Sequence, residues 1–149
     1  MDRLVTALDD LVVHRAVHEE VVITAAAYGY VPIHAKGLGI QAYDTLAGMI
    51  DDASAVVTHG GPASIAMALS AGHVPVVVPR NPAFGEHVDD HQMRFATWFA
   101  RRRDIEVVLE MVELRASLER TIGRRARTGR KPAEPTEAIE RLRSILIGR

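Results

Sequence analysis

Two short segments of the chain hold residues that could bind an anion or a sugar. The first runs from His59 to Ser64, and its Gly60 and Gly61 fall between a predicted strand and a predicted helix. Glycines let backbone N–H groups approach a ligand closely, and a helix N-terminus favours negative charge. A ring N–H of His59 and the Ser64 hydroxyl could add hydrogen bonds. The segment is compatible with phosphate binding, although a Gly-Gly turn is more often a simple connection and this one matches no standard nucleotide motif.

The second segment, residues 79–92, gathers ionisable and amide side chains after another apolar run. Such a set could bind a metal ion, carry acid–base chemistry or hydrogen-bond a polyol such as a sugar. The His-Glu-x-x-His pattern of zinc proteases is absent, so we expect no metal. A metal hydrolase that uses His87, Asp89 and His91 is the weaker alternative. The polar residues of this segment include Glu86, His87, Asp89, Asp90, His91 and Gln92.

Alternating strand-like and helix-like segments must position these two loops. β-Branched runs predict strands at 20–24, 55–58, 74–78 and 105–109, with a short one near Ile33 and His34. Apolar residues at helical spacing predict helices over 2–16, 43–52, 65–71, 90–102, 112–125 and 137–147. This alternation favours a parallel sheet with helices on both faces, in which ligands bind beyond the carboxyl ends of the strands.

We therefore predict an α/β, Rossmann-like domain over residues 1–127, a linker over 128–136 and a C-terminal helix over 137–149. One feature is unusual, because the first predicted element is a helix, whereas an α/β unit of this type starts with a strand. We expect that a strand is missing from this sequence or is supplied by another chain.

Composition narrows the classes of function. The chain has 149 residues, of which 48% are hydrophobic and 25% are charged, as in an ordinary globular domain. No apolar run reaches the roughly 18 residues of a membrane span. Cysteine is absent, which excludes disulfides, thiol catalysis and cysteine-ligated metals and fits a reducing compartment.

Charge is unevenly distributed. Residues 94–149 hold 14 of the 18 basic residues and carry a net charge of +6, whereas residues 1–93 carry −7. A basic C-terminal third could contact nucleic acid, an anionic lipid surface or an acidic partner, and solvated helix faces are the simpler interpretation. We expect no nucleic-acid partner, and we hypothesise that residues 101–131 orient the protein on a membrane or bind an acidic partner.

Between Val56 and Ala96 the sequence resembles the C-terminal domain of family 28 glycosyltransferases. The resemblance rests on residues 59–64, 76–80 and above all the long run 84–92, and it extends more weakly over 2–125. It is greatest to the small donor-binding subunits of two-part bacterial exopolysaccharide glycosyltransferases. The small subunit of the dolichol-pathway N-acetylglucosaminyltransferase is a more distant relative.

This resemblance implies one half of a GT-B fold, in which two Rossmann-like halves close on a cleft. It implies the donor-binding subunit of an inverting glycosyltransferase that transfers a sugar from a UDP-sugar to a lipid-linked saccharide, without cofactor or metal. Activity would require a membrane-associated acceptor-binding subunit, which would hold this cytoplasmic chain at the inner membrane face. A homo-oligomer is expected for the isolated chain. The alternative is a non-catalytic nucleotide- or partner-binding module of the same fold.

The resemblance also implies roles for individual residues. His59, Gly60, Gly61 and Ser64 would hold the donor diphosphate, with His59 stabilising it as it leaves. Asp90, His91 and Gln92 would face the ribose or the donor sugar. Glu86 and His87 would shape the loop that carries them. The catalytic base is not identified.

Three departures from the family pattern accompany the resemblance. Ala63 stands where the family has glycine, and Met67 stands where it has a glutamate for the ribose hydroxyls. Methionine cannot accept those hydrogen bonds, so this departure bears on nucleotide affinity and favours the non-catalytic alternative. The family's opening strand and its Gly-Thr-His type loop are absent from this sequence, which agrees with the missing strand inferred above.

Overall fold

The computed structural model describes residues 1–24 and 29–128, with side chains as far as residue 122. Helices and strands alternate in it, and each strand pairing is parallel. The strands are β1 (Val22–Thr24), β2 (Lys36–Leu38), β3 (Val57–His59), β4 (Val76–Val78) and β5 (Glu106–Val107). The helices are α1 (Asp2–Val13), α2 (Tyr43–Asp52), α3 (Pro62–Ser70), α4 (His91–Ala100) and α5 (Leu114–Thr128). Short 3₁₀ turns occupy Pro82–Phe84 and Met111–Glu113. The predicted α/β, Rossmann-like fold class is confirmed.

Several predicted boundaries were wrong. The short strand expected near Ile33 and His34 lies at Lys36–Leu38, because a carboxylate of α1 accepts the N–H groups of residues 33–35. Helix α3 starts at Pro62 instead of residue 65, since proline fits the first turn of a helix, where its missing N–H is not needed. Helix α1 ends at Val13 rather than residue 16, shortly before Arg15 adopts a positive φ. The C-terminal helix and nearly all of the predicted linker lie outside the described residues.

Strand β4 forms the centre of the core. Val76, Val77 and Val78 are all fully buried, as expected for a strand covered by helices on both faces. Val77 packs on one side with Ile65 and Phe99, from α3 and α4. Val76 and Val78 pack on the other side, against residues of α1 and α5 that include Leu4, Leu114 and Leu118.

The described strands form two separate sheets, β1-β2 and β3-β4-β5. Helix α1 lies across both, because Leu8 packs against the apolar cluster of each. No strand among residues 1–24 and 29–128 joins the two sheets. The expectation that a strand is missing from this sequence, or is supplied by another chain, stays a prediction.

A buried carboxylate on α1 fixes the segment that leads into β2. Asp9 is 2% exposed and accepts hydrogen bonds from the backbone N–H groups of Ile33, His34 and Ala35 at 2.7–3.0 Å and from the Tyr30 hydroxyl at 3.2 Å. Burial alone would raise the pKa of Asp9, but these four donors outweigh it and lower the pKa from 3.8 to about 2. The ionised carboxylate is therefore part of the folded structure.

Replacing this carboxylate should lower the stability of the protein and change its acid sensitivity. Because the folded pKa lies below the unfolded one, Asp9 stabilises the fold above about pH 4, and this contribution is lost as the pH falls to about 2. We expect Asp9→Asn to reduce the free energy of unfolding at pH 7 and to remove this part of the pH dependence. Urea denaturation between pH 2 and 7 measures both, with exposed Asp10→Asn as the control. Equal acid profiles for wild type and Asp9→Asn would contradict the assignment.

Candidate functional site

The two loops singled out in the sequence start side by side. Strands β3 and β4 are parallel neighbours, and His59 at the end of β3 is paired in register with Val78 at the end of β4. The loops at residues 59–64 and 79–92 therefore leave the same edge of the sheet. This is the edge at which open α/β sheets bind ligands.

Gly60 brings these loops into direct contact. It is buried, and a Cβ built there would lie 2.9 Å from Cβ of Gln92 and 3.1 Å from Cβ of Pro79. Gln92, in the first turn of α4, also accepts a hydrogen bond from the backbone N–H of Arg80 through its Oε1 at 3.1 Å. The side-chain carbonyl of Gln92 thus accepts a hydrogen bond within the protein, and its side-chain NH₂ remains as a donor.

The imidazole of His59 folds back over its own turn. Its Nδ1 accepts a hydrogen bond from the backbone N–H of Gly61 at 2.9 Å, so a neutral ring carries its proton on Nε2. Burial lowers the pKa of His59, and the positive charge of Arg80 lowers it further. At neutral pH His59 is therefore an uncharged ring that can donate one hydrogen bond.

The start of α3 provides further donors. Gly61 is the N-cap in an extended conformation, and Pro62 occupies the first helical position without any side-chain cap. The N–H groups of Ala63 and Ser64 are among those that no helical carbonyl can accept. The Ser64 hydroxyl makes no hydrogen bond within the described part of the chain. These groups and His59 could together bind an anion.

Glu86 faces the protein rather than a ligand. Its side chain is 5% exposed, and its carboxylate accepts hydrogen bonds from Arg3 Nε at 3.1 Å and from the Asn81 backbone N–H at 3.0 Å. Burial raises the pKa of Glu86, but these two partners and the Met1 ammonium, 3.4 Å from Oε1, outweigh it and hold the pKa below its ordinary value. Arg3 also donates to the Pro79 carbonyl at 2.9 Å and lies over the Phe84 ring. The expected role of Glu86 in shaping the loop stays a prediction, and Arg3 is a partner that was not predicted from the sequence.

Asp89 joins the two histidines of the loop. Its carboxylate accepts the His91 backbone N–H at 3.1 Å and lies 3.0 Å and 3.3 Å from Nδ1 of His91 and His87. The His91 backbone N–H and the two imidazoles hold the pKa of Asp89 below its ordinary value against a smaller opposing effect of burial. Among the described residues, no group of three or more histidine, aspartate or glutamate side chains is arranged to hold a metal ion. The metal-hydrolase alternative therefore gains no support from this cluster.

The remaining polar residues of the loop are open to solvent. Asp90 precedes α4 without capping it, and its carboxylate lies 3.8 Å from Arg94 in an exposed pair. The His91 side chain is 78% exposed. Both could meet a ligand that approaches the Gly60 turn from outside the sheet.

Comparison with known proteins identifies the family of this chain. The model of the glycosyltransferase family 28 C-terminal domain matches residues 11–145. The chain belongs to this family. No curated protein and no solved structure matches it at a significant level.

Membership of family 28 implies nucleotide-sugar binding and glycosyltransferase chemistry for this domain. The parallel sheets with flanking helices are consistent with one Rossmann-like half of a GT-B fold. No helix within residues 1–24 and 29–128 has the length and apolar character to span a membrane.

A side chain at Gly61 should displace the His59 ring. A Cβ there would overlap Cε1 and Nδ1 of the imidazole. We expect Gly61→Ala to cost about 1–3 kcal/mol in the free energy of unfolding, as overpacking does. It should also move the pKa of His59 upward as the ring leaves its half-buried place. Chemical denaturation and an NMR titration of His59 measure these effects. Gly39→Ala is the control, because a Cβ there has nothing within 4 Å. An unchanged His59 titration would contradict the prediction.

Loss of the Glu86 charge should loosen the loop. Glu86→Gln weakens the hydrogen bond to Arg3, and we expect it to lower the free energy of unfolding by about 1–3 kcal/mol. The matched control is Glu119→Gln, which removes an exposed pair with Arg115 and should cost no more than about 1 kcal/mol. Urea denaturation at pH 7 compares the two, and equal losses would show that the Arg3 contact contributes no more than a surface pair.

Proposed function

We propose that the chain is the donor-binding, catalytic subunit of an inverting glycosyltransferase. It would transfer a sugar from a UDP-sugar to a lipid-linked saccharide in polysaccharide synthesis. The observation that carries the proposal is the contact of the Gly60 turn with Gln92, which joins an anion-binding helix start to a loop suited to a polyol. Because the chain belongs to family 28, a nucleotide sugar is the class of ligand that we propose for these two loops.

The first loop suits the diphosphate of the donor. The N–H groups at the start of α3 and the Nε2–H of His59 can approach the same phosphate oxygens. As the bond to the sugar breaks, negative charge grows on these oxygens, and donors that are already in place need not reorganise to stabilise it. This scheme requires no metal and no cofactor.

The second loop suits the ribose or the donor sugar. The amide NH₂ of Gln92 can donate to a hydroxyl, and the exposed carboxylate of Asp90 can accept from one. His91 is paired with Asp89 but 78% exposed beside them, whereas the less exposed His87 and Glu86 also have partners within the loop and would position it. The proposed division is thus three ligand-facing residues and two positioning residues.

Transfer would require a second subunit. One Rossmann-like half supplies one wall of a GT-B cleft, so the acceptor and the catalytic base would come with a membrane-associated partner. That partner would hold the chain at the cytoplasmic face of the inner membrane. The basic segment at 101–131 would assist there, and its described part includes Arg102, which is exposed and stacks on Trp98 at 4.4 Å.

The second candidate function is a non-catalytic nucleotide- or partner-binding module. Met67 favours it, since this half-buried residue on α3 stands one turn beyond the proposed diphosphate site and cannot accept ribose hydroxyls. The two candidates differ in whether a complex with the acceptor-binding subunit transfers sugar.

Calorimetry tests the donor site directly. We expect UDP and UDP-sugars to bind, and His59→Ala to weaken UDP by about 1.5–3 kcal/mol while leaving uridine nearly unchanged, because a hydrogen bond to a charged group is lost. His14→Ala, at the exposed end of α1, is the control. If neither UDP, UDP-glucose, UDP-glucuronate nor UDP-N-acetylglucosamine binds, the proposed function is wrong.

Reconstitution separates the two candidates. The isolated chain should transfer little or no sugar from a radiolabelled UDP-sugar to membrane lipid, and co-expression with its acceptor-binding subunit should restore transfer. Efficient turnover by the isolated chain would contradict the need for a partner. Donor binding without transfer in the reconstituted pair would favour the non-catalytic module.

A further inference from the structure

Arg80 differs from the other charged residues of the second loop. It is half-buried, and its guanidinium has no ion pair or hydrogen bond within the described part of the chain. Every carboxylate of residues 79–92 already faces a cation or an imidazole. Glu86 faces Arg3, Asp89 faces both loop histidines, and Asp90 faces Arg94.

The backbone of Arg80 is held beside the glycine turn. Its N–H donates to Gln92 Oε1 at 3.1 Å, and the preceding Pro79 is the residue that a Cβ at Gly60 would meet at 3.1 Å. Arg80 is also close enough to His59 for its charge to lower the pKa of that ring. The residue thus lies just beyond the carboxyl end of β4, beside the glycine turn that leads into α3, and within electrostatic range of the imidazole.

We propose that Arg80 is a further donor-binding residue, whose guanidinium binds the diphosphate together with the Nε2–H of His59 and the N–H groups at the start of α3. This inference rests on the proposed function, since it assigns one more residue to the same nucleotide site. Arg80 is not among the site residues predicted from the sequence.

The chemistry favours an anion with several oxygens at this place. Arg80 is a half-buried residue whose guanidinium has no counter-ion among the described residues, and a bound diphosphate would supply one. A guanidinium presents two parallel N–H donors that match two phosphate oxygens, which a lysine ammonium cannot do. Because the loop carboxylates are already paired, no acidic side chain among the described residues competes with the ligand for Arg80.

The test uses the full chain and four probes: uridine, inorganic pyrophosphate, UDP-glucose and UDP-glucuronate. We expect Arg80→Gln to weaken pyrophosphate and both UDP-sugars by about 10- to 100-fold, with equal losses for the two sugars and no change for uridine. Arg80→Lys should recover only part of the loss. Arg103→Gln, an exposed arginine with the same change of net charge, should match wild type. Thermal melting verifies that each variant is folded.

A second readout reports the position of the guanidinium. The pKa of His59, measured by NMR, should rise toward its ordinary value in Arg80→Gln and should not move in Arg103→Gln. This shift is expected whether or not a nucleotide is present. This shift of the His59 pKa distinguishes an Arg80 whose charge acts at the site from an Arg80 that only supports the fold.

The outcomes separate this inference from the proposed function. If wild type binds the UDP-sugars and Arg80→Gln binds them equally well, the assignment of Arg80 is wrong and the proposed function stands. A loss confined to UDP-glucuronate would also overturn it, because the guanidinium would then recognise the sugar carboxylate. If wild type binds pyrophosphate through Arg80 but no UDP compound, the proposed function fails and the anion site stands. Failure to bind any of these anions overturns both.

Discussion

Gly60 and Gly61, in the turn after β3, have no room for side chains, and the candidate site depends on this constraint. Gly60 is pressed against Gln92 and Pro79, and Gly61 lies under the His59 ring. Because both contacts are closer than a Cβ permits, the turn can sit directly on the start of α4. The backbone N–H groups of α3 and the polar loop therefore reach the same region. A larger residue at Gly60 would push the turn away from the start of α4, and one at Gly61 would displace the His59 ring.

Helix α1 provides the second support, through two of its four charged residues. Arg3 joins α1 to the second loop through Glu86 and the Pro79 carbonyl. Asp9 joins it to the segment before β2 through three backbone N–H groups. Since α1 also packs against both sheets, this one helix holds both the loop at 79–92 and the β1-β2 sheet in place. Polar contacts of this kind depend on their geometry, because a buried carboxylate or guanidinium that loses its partner is destabilising.

Local patterns predicted most of the elements, and long-range contacts account for what was missed. The helix over 43–52 was predicted to the residue, and the β-branched run at 74–78 contains the central strand. The strand expected near Ile33 was misplaced because the Asp9 carboxylate, far away along the chain, takes the N–H groups that a strand would use. Asp9 does leave a signal, since it falls at helical spacing from Val5 and Val12, where an apolar residue is expected. Arg3 leaves no comparable signal, because its partners lie 76–106 residues away. The loop run 84–92 predicted a polyol site, but only the structure shows that Glu86 and Asp89 are engaged within it.

The pairing of these carboxylates explains how an acidic part of the chain could bind an anion. Residues 1–93 carry a net charge of −7, which by itself would repel a diphosphate. At physiological ionic strength, however, exposed charges more than about 8 Å apart are largely screened, so the groups nearest the ligand dominate. In this site, Glu86, Asp89 and Asp90 each face a positive or imidazole partner, whereas Arg80 faces none within the described chain. The helix start and the neutral His59 add donors without adding negative charge. The described groups nearest the glycine turn are therefore N–H donors and one arginine rather than unpaired carboxylates, although residues 1–93 are acidic overall, and this contrast would favour an anionic ligand at that one place.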